Sequence, residues 1–401
     1  RRGLSIADGT PVHLIAPPGQ TTRLAAVSEG QIEFPIIVPA GSNSVMLTVS
    51  CKSKEFSFKM DRAAPQGVPL RGVFLRNELS GVPIANASIL RGAVAVQSGS
   101  RVGLYLIPDD SGAVHIDAPG FQPKIMYSLP DTLSMVPWFK GKLFATRFLI
   151  DPQGGPPAIS GAGRLGLSGA HVNLLVAKYL EGYLQRAGAA VLLTRSNEEI
   201  RTVQDIVTMA NRFHADRYIE LRHGRSAADD RRVVRAFHFP GSRLGPDFAN
   251  NVSRSLSDIL GVPLLHSGEL VTYPLQQTAC PAIVIEAPSL LDMEEELRLS
   301  ESWYQRLQAY GIFLGILKHF GIAQSTSLSV TVTGARDPSN WLVIIDGSWK
   351  LLTNPHGIAT FQALSGGEHR VDIQRGPAFF SKMVELSPDG PNDALFDVTA
   401  E

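Results

Sequence analysis

Phe148-Leu149-Ile150-Asp151-Pro152-Gln153-Gly154-Gly155 is a short apolar run closed by an acid, a proline and two glycines. Consecutive apolar residues stopped by turn formers read as a strand covered on both faces, because a half-exposed strand would alternate. Downstream the period switches repeatedly. Val172 to Leu184 has apolar residues at helical spacing, Ala190 to Leu193 is a strand, Val203 to Phe213 helical and Arg217 to Leu221 a strand. Phe248 to Leu260 is helical again, Ala282 to Ile285 a strand and Glu294 to Phe320 helical. Strand and helix in alternation predict a sheet with helices on both faces, a three-layer α/β domain over residues 143–322.

On either side the pattern is all-β, so the fold class is multidomain, with sandwich modules flanking the α/β domain. In residues 1–62, Gln31 to Val38 and Ser44 to Cys51 are strand-like and are broken at 17–19 and 39–41 by Pro and Gly. Ala63 to Val68 reads as a linker. In residues 69–130, Gly72 to Leu75, Ala87 to Leu90, Gly103 to Ile107 and Ala113 to Ile116 are short apolar runs. In residues 327–401 the strand candidates are Leu328 to Val332, Trp341 to Ile345, Thr360 to Ala363 and His369 to Ile373, with Asp346-Gly347 a hairpin signal.

The whole chain sets bounds on function. Its 401 residues exceed one core, and 44% apolar with 18% charged residues describes folded domains. Lys plus Arg equals Asp plus Glu at 37 each, so no global field draws nucleic acid, and none is expected as a partner. The basic stretch Arg222 to Arg235 is diluted by Asp229 and Asp230 and reads as a solvated loop. No apolar run reaches the roughly 18 residues of a membrane span. The strongest, Tyr310 to Leu317, reads as one face of a buried helix. Cys51 and Cys280 are too few and too far apart for a disulfide framework. Arg1 follows no signal region, which reads as a product trimmed of its leader.

Several ordered fragments resemble known families. Gly81-Val82-Pro83-Ile84, Ala87-Ser88-Ile89 and Ala118-Pro119-Gly120-Phe121 resemble carboxypeptidase regulatory-like sandwiches of exported bacterial proteins. Ile345-Asp346-Gly347 and Leu364 to His369 resemble PEGA-type β modules. The central segment is similar to zinc-dependent N-acetylmuramoyl-L-alanine amidases of the amidase type 3 family. That likeness is carried by Asp151-Pro152 with Gly154-Gly155, Val172-Asn173-Leu174, Leu193-Thr194-Arg195, Ala210-Asn211, Ala215-Asp216, Tyr218 to Leu221, Pro281 to Glu286 and Tyr310-Gly311-Ile312.

In that family three residues ligate zinc and a carboxylate on the last strand is the general base. The resemblance places those ligands at Gln153, Gly169 and Arg222, none of them the family's His or Glu, and leaves Glu286 as the remnant of the base. An arginine cannot donate a lone pair to a metal, so the metal site is expected to be lost and no cofactor is expected. His223 and His171 lie close to ligand positions, but one step along a strand or two along a helix turns a side chain away. A buried Glu286 needs a cation, and Arg222 is expected within about 6 Å of it. Gln153, Arg222 and His223 are the cleft candidates.

The expected function is that of a bacterial envelope or periplasmic protein whose amidase-like domain binds or assembles, with peptidoglycan or envelope proteins as partners. The alternative is an active zinc amidase that cleaves between muramic acid and L-Ala and holds its metal through His223, Glu286 and a third ligand that the sequence does not identify.

Overall fold

The computed structural model describes residues 70–91, 101–109, 112–154, 161–197, 199–223, 232–265, 267–322, 326–388 and 390–399, and the strand backbones at 13–15, 22–28, 30–36, 44–51, 54–61, 94–95 and 97–98. The linker 63–68, the turns at 17–19 and 39–41, Gly155 and the charged stretch 224–231 lie outside the described residues. The chain divides into two compact units, Arg1–Pro137 and Trp138–Glu401.

In the first unit, His13–Ile15, Ser44–Cys51 and Lys54–Asp61 form one sheet, and Thr22–Ser28 pairs with Gly30–Ile36. Two four-stranded sheets follow. One runs Thr132–Met135, Leu70–Asn77, Leu104–Pro108, Gln97–Ser98 and the other Lys124–Met126, Val114–Asp117, Ser88–Arg91, Val94–Ala95. Each apolar run noted in this region is a strand. Alternate side chains, among them Val73, Leu75, Tyr105, Ile107, Val114 and Ile116, meet in one buried cluster. The Tyr105 hydroxyl is satisfied there, donating to the Ile84 carbonyl at 3.0 Å and accepting from Ala87 N at 2.9 Å.

The second unit opens with β1 (Arg147–Pro152), α1 (Gly169–Arg186), β2 (Ala190–Leu193), α2 (Val203–Phe213) and β3 (Arg217–His223). It continues with β4 (Arg235–His238), α3 (Gly245–Leu260), β5 (Gly268–Glu269), α4 (Tyr273–Gln277), β6 (Ala282–Ala287), α5 (Met293–Leu299) and α6 (Ser302–His319). The sheet order is β2-β1-β3-β6-β4-β5, with β4 antiparallel to β6 and every other pairing parallel. Helix starts follow local chemistry. The Ser168 hydroxyl accepts from His171 N ahead of α1, Thr202 from Asp205 N ahead of α2, and Asp292 from Glu295 N ahead of α5.

Alternation along the strands divides the sheet's contacts. Phe148, Ile150, Ile219, Leu221, Ile283 and Ile285 pack with α1, α3 and α6. Leu149, Tyr218 and Val284 pack with Ile206 and Ala210 of α2 and Leu275 of α4. The long helix expected over 294–320 is two helices. The Ser300 hydroxyl bonds back to the Leu297 carbonyl at 2.6 Å and Glu301 is extended (φ −93°, ψ 131°), so α5 ends and α6 starts afresh.

The C-terminal strands are β7 (Thr326–Thr333), β8 (Leu342–Ile345), β9 (Trp349–Leu352), β10 (Ile358–Leu364), β11 (Gly367–Arg375), β12 (Ala378–Leu386) and β13 (Asp393–Asp397). They form two sheets, β10-β7-β13 and β9-β8-β11-β12. Asp346 and Gly347 both have positive φ (51° and 63°) in the loop 346–348 that joins Ile345 to its strand partner Trp349, and Ser348 N donates to the Ile345 carbonyl at 2.9 Å. Residues 327–401, expected as a module of their own, share one continuous buried cluster with the α/β domain. Trp349 stacks on Phe313 of α6 at 5.5 Å and meets Trp138 edge-on at 5.0 Å, while Phe361 faces Tyr310 at 6.0 Å.

This docking explains the apolar run 310–317. All eight residues are buried, so α6 is covered on every side and not along one face alone. Gly311 and Gly315 let α3 approach it, since a Cβ on Gly315 would lie 2.4 Å from Val252 Cα. No described helix is long and apolar enough to cross a membrane.

Candidate functional site

Three adjacent strands carry charged residues in one row. Strand register sets Arg222 of β3 opposite Glu286 of β6, and Glu286 opposite Arg235 of β4. Directly paired residues put their side chains on the same face within reach of one another. Arg222 Nε lies 3.4 Å from Glu286 Oε1, and Arg235 Nη1 lies 3.6 Å from Glu286 Oε2. Each carboxylate oxygen thus faces a guanidinium. Arg222 Nη1 also reaches Glu220 Oε1 at 3.7 Å, and its guanidinium carbon sits 5.8 Å from the centre of the Phe237 ring.

Two residues back along β3, Glu220 shares this face and pairs in register with Asp151 of β1. Both carboxylates are buried. Gln153 Nε2 donates to Glu220 Oε1 at 3.2 Å. Burial first, then the neighbouring Asp151 charge and to a lesser degree Glu286, push Glu220 up to about 7 against the pull of Arg222. Burial also raises Asp151, although Thr194 Oγ1 donates to it at 2.5 Å, Tyr218 OH at 2.9 Å and Arg195 adds a positive charge.

The turn after β1 is held by polar ties. Arg195 Nε donates to the Pro152 carbonyl at 2.7 Å, and its Nη2 spans the Ala170 carbonyl at 2.6 Å and the Gln153 carbonyl at 3.3 Å. Gly154 runs so close beneath this guanidinium that a Cβ there would lie 2.5 Å from Arg195 Nε. Asn173 Nδ2 donates to the Gln153 carbonyl at 2.8 Å. Gly169 is the first residue of α1 and is buried; His171, in that first turn, is exposed.

His223 is one step past Arg222 and points to the other face of β3. Its Nδ1 lies 2.7 Å from Asn173 Oδ1 and its Nε2 3.1 Å from Gln308 Oε1, with the ring buried under α1 and α6. Asn173 spends its amide donor on Gln153, so its oxygen takes the Nδ1 proton of His223. A neutral ring then needs a donor at Nε2, which Gln308 supplies with its amide turned over; that also gives a partner to Gln308 Nε2, buried without one as placed. Burial lowers His223 to about 4, so it is neutral at ordinary pH.

Gln153, Arg222 and Glu286 are therefore brought to one face by β1, β3 and β6, and His223 is not. Three further residues belong with them: Asp151, Glu220 and Arg235. In the sequence Arg235 closes a charged stretch with the look of a solvated loop, yet it lies in a strand paired to β6. Among the described residues no group of three or more His, Cys, Asp or Glu is placed to hold a metal ion.

Residues 150–318 match the family model of N-acetylmuramoyl-L-alanine amidases. No curated protein matches the chain. Among solved structures, the catalytic domain of the amidase CwlV from Bacillus (Paenibacillus) polymyxa var. colistinus is 22% identical, covering 44% of this chain and 99% of that one with a TM-score of 0.41. The amidase AmiC2 of Nostoc punctiforme is 25% identical over 45% of this chain and 98% of that one, TM-score 0.40. The CwlD amidase of Clostridioides difficile, solved in complex with the GerS lipoprotein, is 16% identical over 44% and 100%, TM-score 0.40. The family match falls on the strands and helices that build the charged row, and residues 150–318 form an amidase-like α/β domain within a chain that has additional strand-rich sheets.

Proposed function

We propose that this domain keeps the scaffold of a peptidoglycan amidase without its chemistry, and serves as a binding or assembly module of a bacterial envelope protein flanked by β-sandwich modules. The observation that carries this reading is Arg222, whose guanidinium lies 3.4 Å from Glu286 and 3.7 Å from Glu220.

The residues present do not suit zinc. A catalytic zinc takes three protein ligands with lone pairs and keeps a fourth position for water. Of the residues at the three ligand positions, Gln153 offers only a neutral amide oxygen in place of an imidazole or carboxylate, Gly169 has no side chain, and Arg222 brings a fixed positive charge. A divalent ion there would sit beside two guanidiniums, Arg222 and Arg235. Glu286, the remnant of the general base, has both carboxylate oxygens occupied by ion pairs, with Arg222 and with Arg235. The groove can still hold a peptide or glycan through Gln153, Arg222 and Glu286, or the β modules can dock envelope proteins through their strand edges. The setting fitting either role is the periplasm or cell envelope.

An active amidase with zinc on His223 and Glu286 is the competing reading. It needs His223 on the Glu286 side of the sheet, whereas the ring is held between Asn173 and Gln308. Metal analysis of the zinc-dialysed chain, with muropeptide cleavage assayed in parallel, tests the choice. Substoichiometric zinc and no cleavage are expected. Stoichiometric zinc with cleavage that disappears in Glu286→Ala overturns the proposal. Retention on purified sacculi then favours wall binding, and absence of retention favours protein assembly.

A further inference from the structure

Outside the charged row, the C-terminal strands contain a serine, a histidine and an aspartate in contact. His369 of β11 is 5% exposed. Its Nδ1 lies 2.7 Å from Asp346 Oδ2 in the β8–β9 turn. Its Nε2 lies 3.0 Å from the Ser365 carbonyl and 3.3 Å from the Ser365 hydroxyl, just after β10. The order of side chains is that of a nucleophilic triad. The carbonyl rules against that use: with an acceptor oxygen facing each ring nitrogen, both nitrogens carry protons, and an imidazolium cannot take a proton from Ser365.

What the ring joins is more telling. Asp346 also accepts from Arg370 N at 3.0 Å through Oδ1, so its turn is fixed to β11 at two points. That turn leads directly into β9, whose first residue, Trp349, packs on Phe313 and Trp138, and Tyr183 of α1 donates to the Lys350 carbonyl. The Ser365 turn closes β10, where the Tyr310 hydroxyl of α6 donates to the Gln362 carbonyl at 2.7 Å and accepts from Gln362 N at 3.0 Å. The two turns that His369 bridges therefore end the two strands seated on α1 and α6.

We propose that His369 is a proton-operated clip: as an imidazolium it ties the Asp346 turn to the Ser365 turn and keeps β9 and β10 seated on the α/β domain, and loss of its proton loosens that seat. Once neutral, the ring keeps its proton on Nδ1 for the Asp346 carboxylate and turns a bare lone pair on the Ser365 carbonyl, so the 3.0 Å bond to that carbonyl is lost and only the Ser365 hydroxyl, 3.3 Å away, can still donate to Nε2, which weakens the tie to β10. The groups acting on the ring favour the charged form. Burial pulls the imidazole down, but the hydrogen bond and charge of Asp346, the Ser365 carbonyl and the charge of Glu385 on β12 outweigh it and leave it above its ordinary value. Arg370, next in β11, keeps its guanidinium on Asp372 and Ser381. Because the folded-state pKa is raised, the stabilisation is complete below about pH 6.5 and is lost as pH rises through the folded value.

The test uses the full chain. Ring NMR, assigned by His369→Gln, should show His369 titrating above about pH 6.5, and a 5-fluorotryptophan signal assigned by Trp349→Phe should move over the same pH window. The melting midpoint of the wild type should fall by about 2–4 °C across that window relative to His369→Gln. A ring that titrates at or below 6.5 overturns the clip, and if either variant fails to fold the same signals are assigned in the wild type by through-bond and through-space connectivities. A titrating ring with an unmoved Trp349 signal, or a melting profile parallel to that of His369→Gln, overturns its link to docking.

Discussion

Arg222 and Glu286 stand directly opposite each other on neighbouring parallel strands, with 3.4 Å between Nε and Oε1, and Arg235 closes on the same carboxylate from the third strand. A carboxylate set between two guanidiniums inside a fold is costly to leave half-paired. Arg222→Met should therefore destabilise the α/β domain by about 3 kcal/mol, the low end of buried-pair losses because Arg235 remains. The double variant Arg222→Met with Glu286→Met should recover much of that loss. Urea unfolding of the four chains in a double-mutant cycle measures it, and additive losses would mean the pair is not coupled.

Glu220 gives a pH dependence of definite sign. Its carboxyl is raised to about 7, so the folded chain holds a proton that the unfolded chain releases near pH 4.3. That stabilisation is present below pH 4.3 and is lost as pH rises to about 7. Glu220→Gln should flatten the profile and leave the variant more stable than wild type at pH 8, by up to about 3 kcal/mol. Midpoints of urea denaturation between pH 5 and 8 check this. An unchanged slope would mean Glu220 ionises normally.

His223 acts with the opposite sign. Lowered to about 4, it is neutral when folded, whereas the unfolded ring takes a proton near pH 6.5. Its contribution is present above pH 6.5 and disappears as pH falls towards 4. Ring NMR should show no titration of His223 above about pH 5, with the proton on Nδ1 facing Asn173.

Trp349→Ala should cost about 3–5 kcal/mol, because it opens a cavity where Trp138, Phe139 and Phe313 meet. Calorimetry should show the loss in one transition shared by the α/β domain and the C-terminal strands. Two separate transitions would contradict a common core.

The regular elements of the α/β domain were legible because buried strands and amphipathic helices impose strong periods. The strands that escaped have weak ones. Arg235–His238 holds two apolar residues among four, and Ala378–Leu386 is exposed along most of its length, so neither prints an apolar pattern. The extent of 310–317 burial depended on strands lying further along the chain. The site divided in the same way. That Arg222 and His223 face opposite sides follows from strand geometry alone. That Arg235, Glu220 and Asp151 join Arg222 and Glu286 depends on register between strands distant in sequence, which no local pattern encodes.

The covering of α6 by β9 and β10 has a practical side. A protein cut at residue 322, just past the end of the family match at residue 318, would present Tyr310, Phe313 and the ring face vacated by Trp349 to water, on a helix with scarcely a polar residue between Tyr310 and Leu317. Such a fragment would invite self-association, and its insolubility would say nothing about the α/β fold itself. The smallest autonomous piece therefore has to be drawn around the shared interior, from about Trp138 to the last strand, and not around the family boundary.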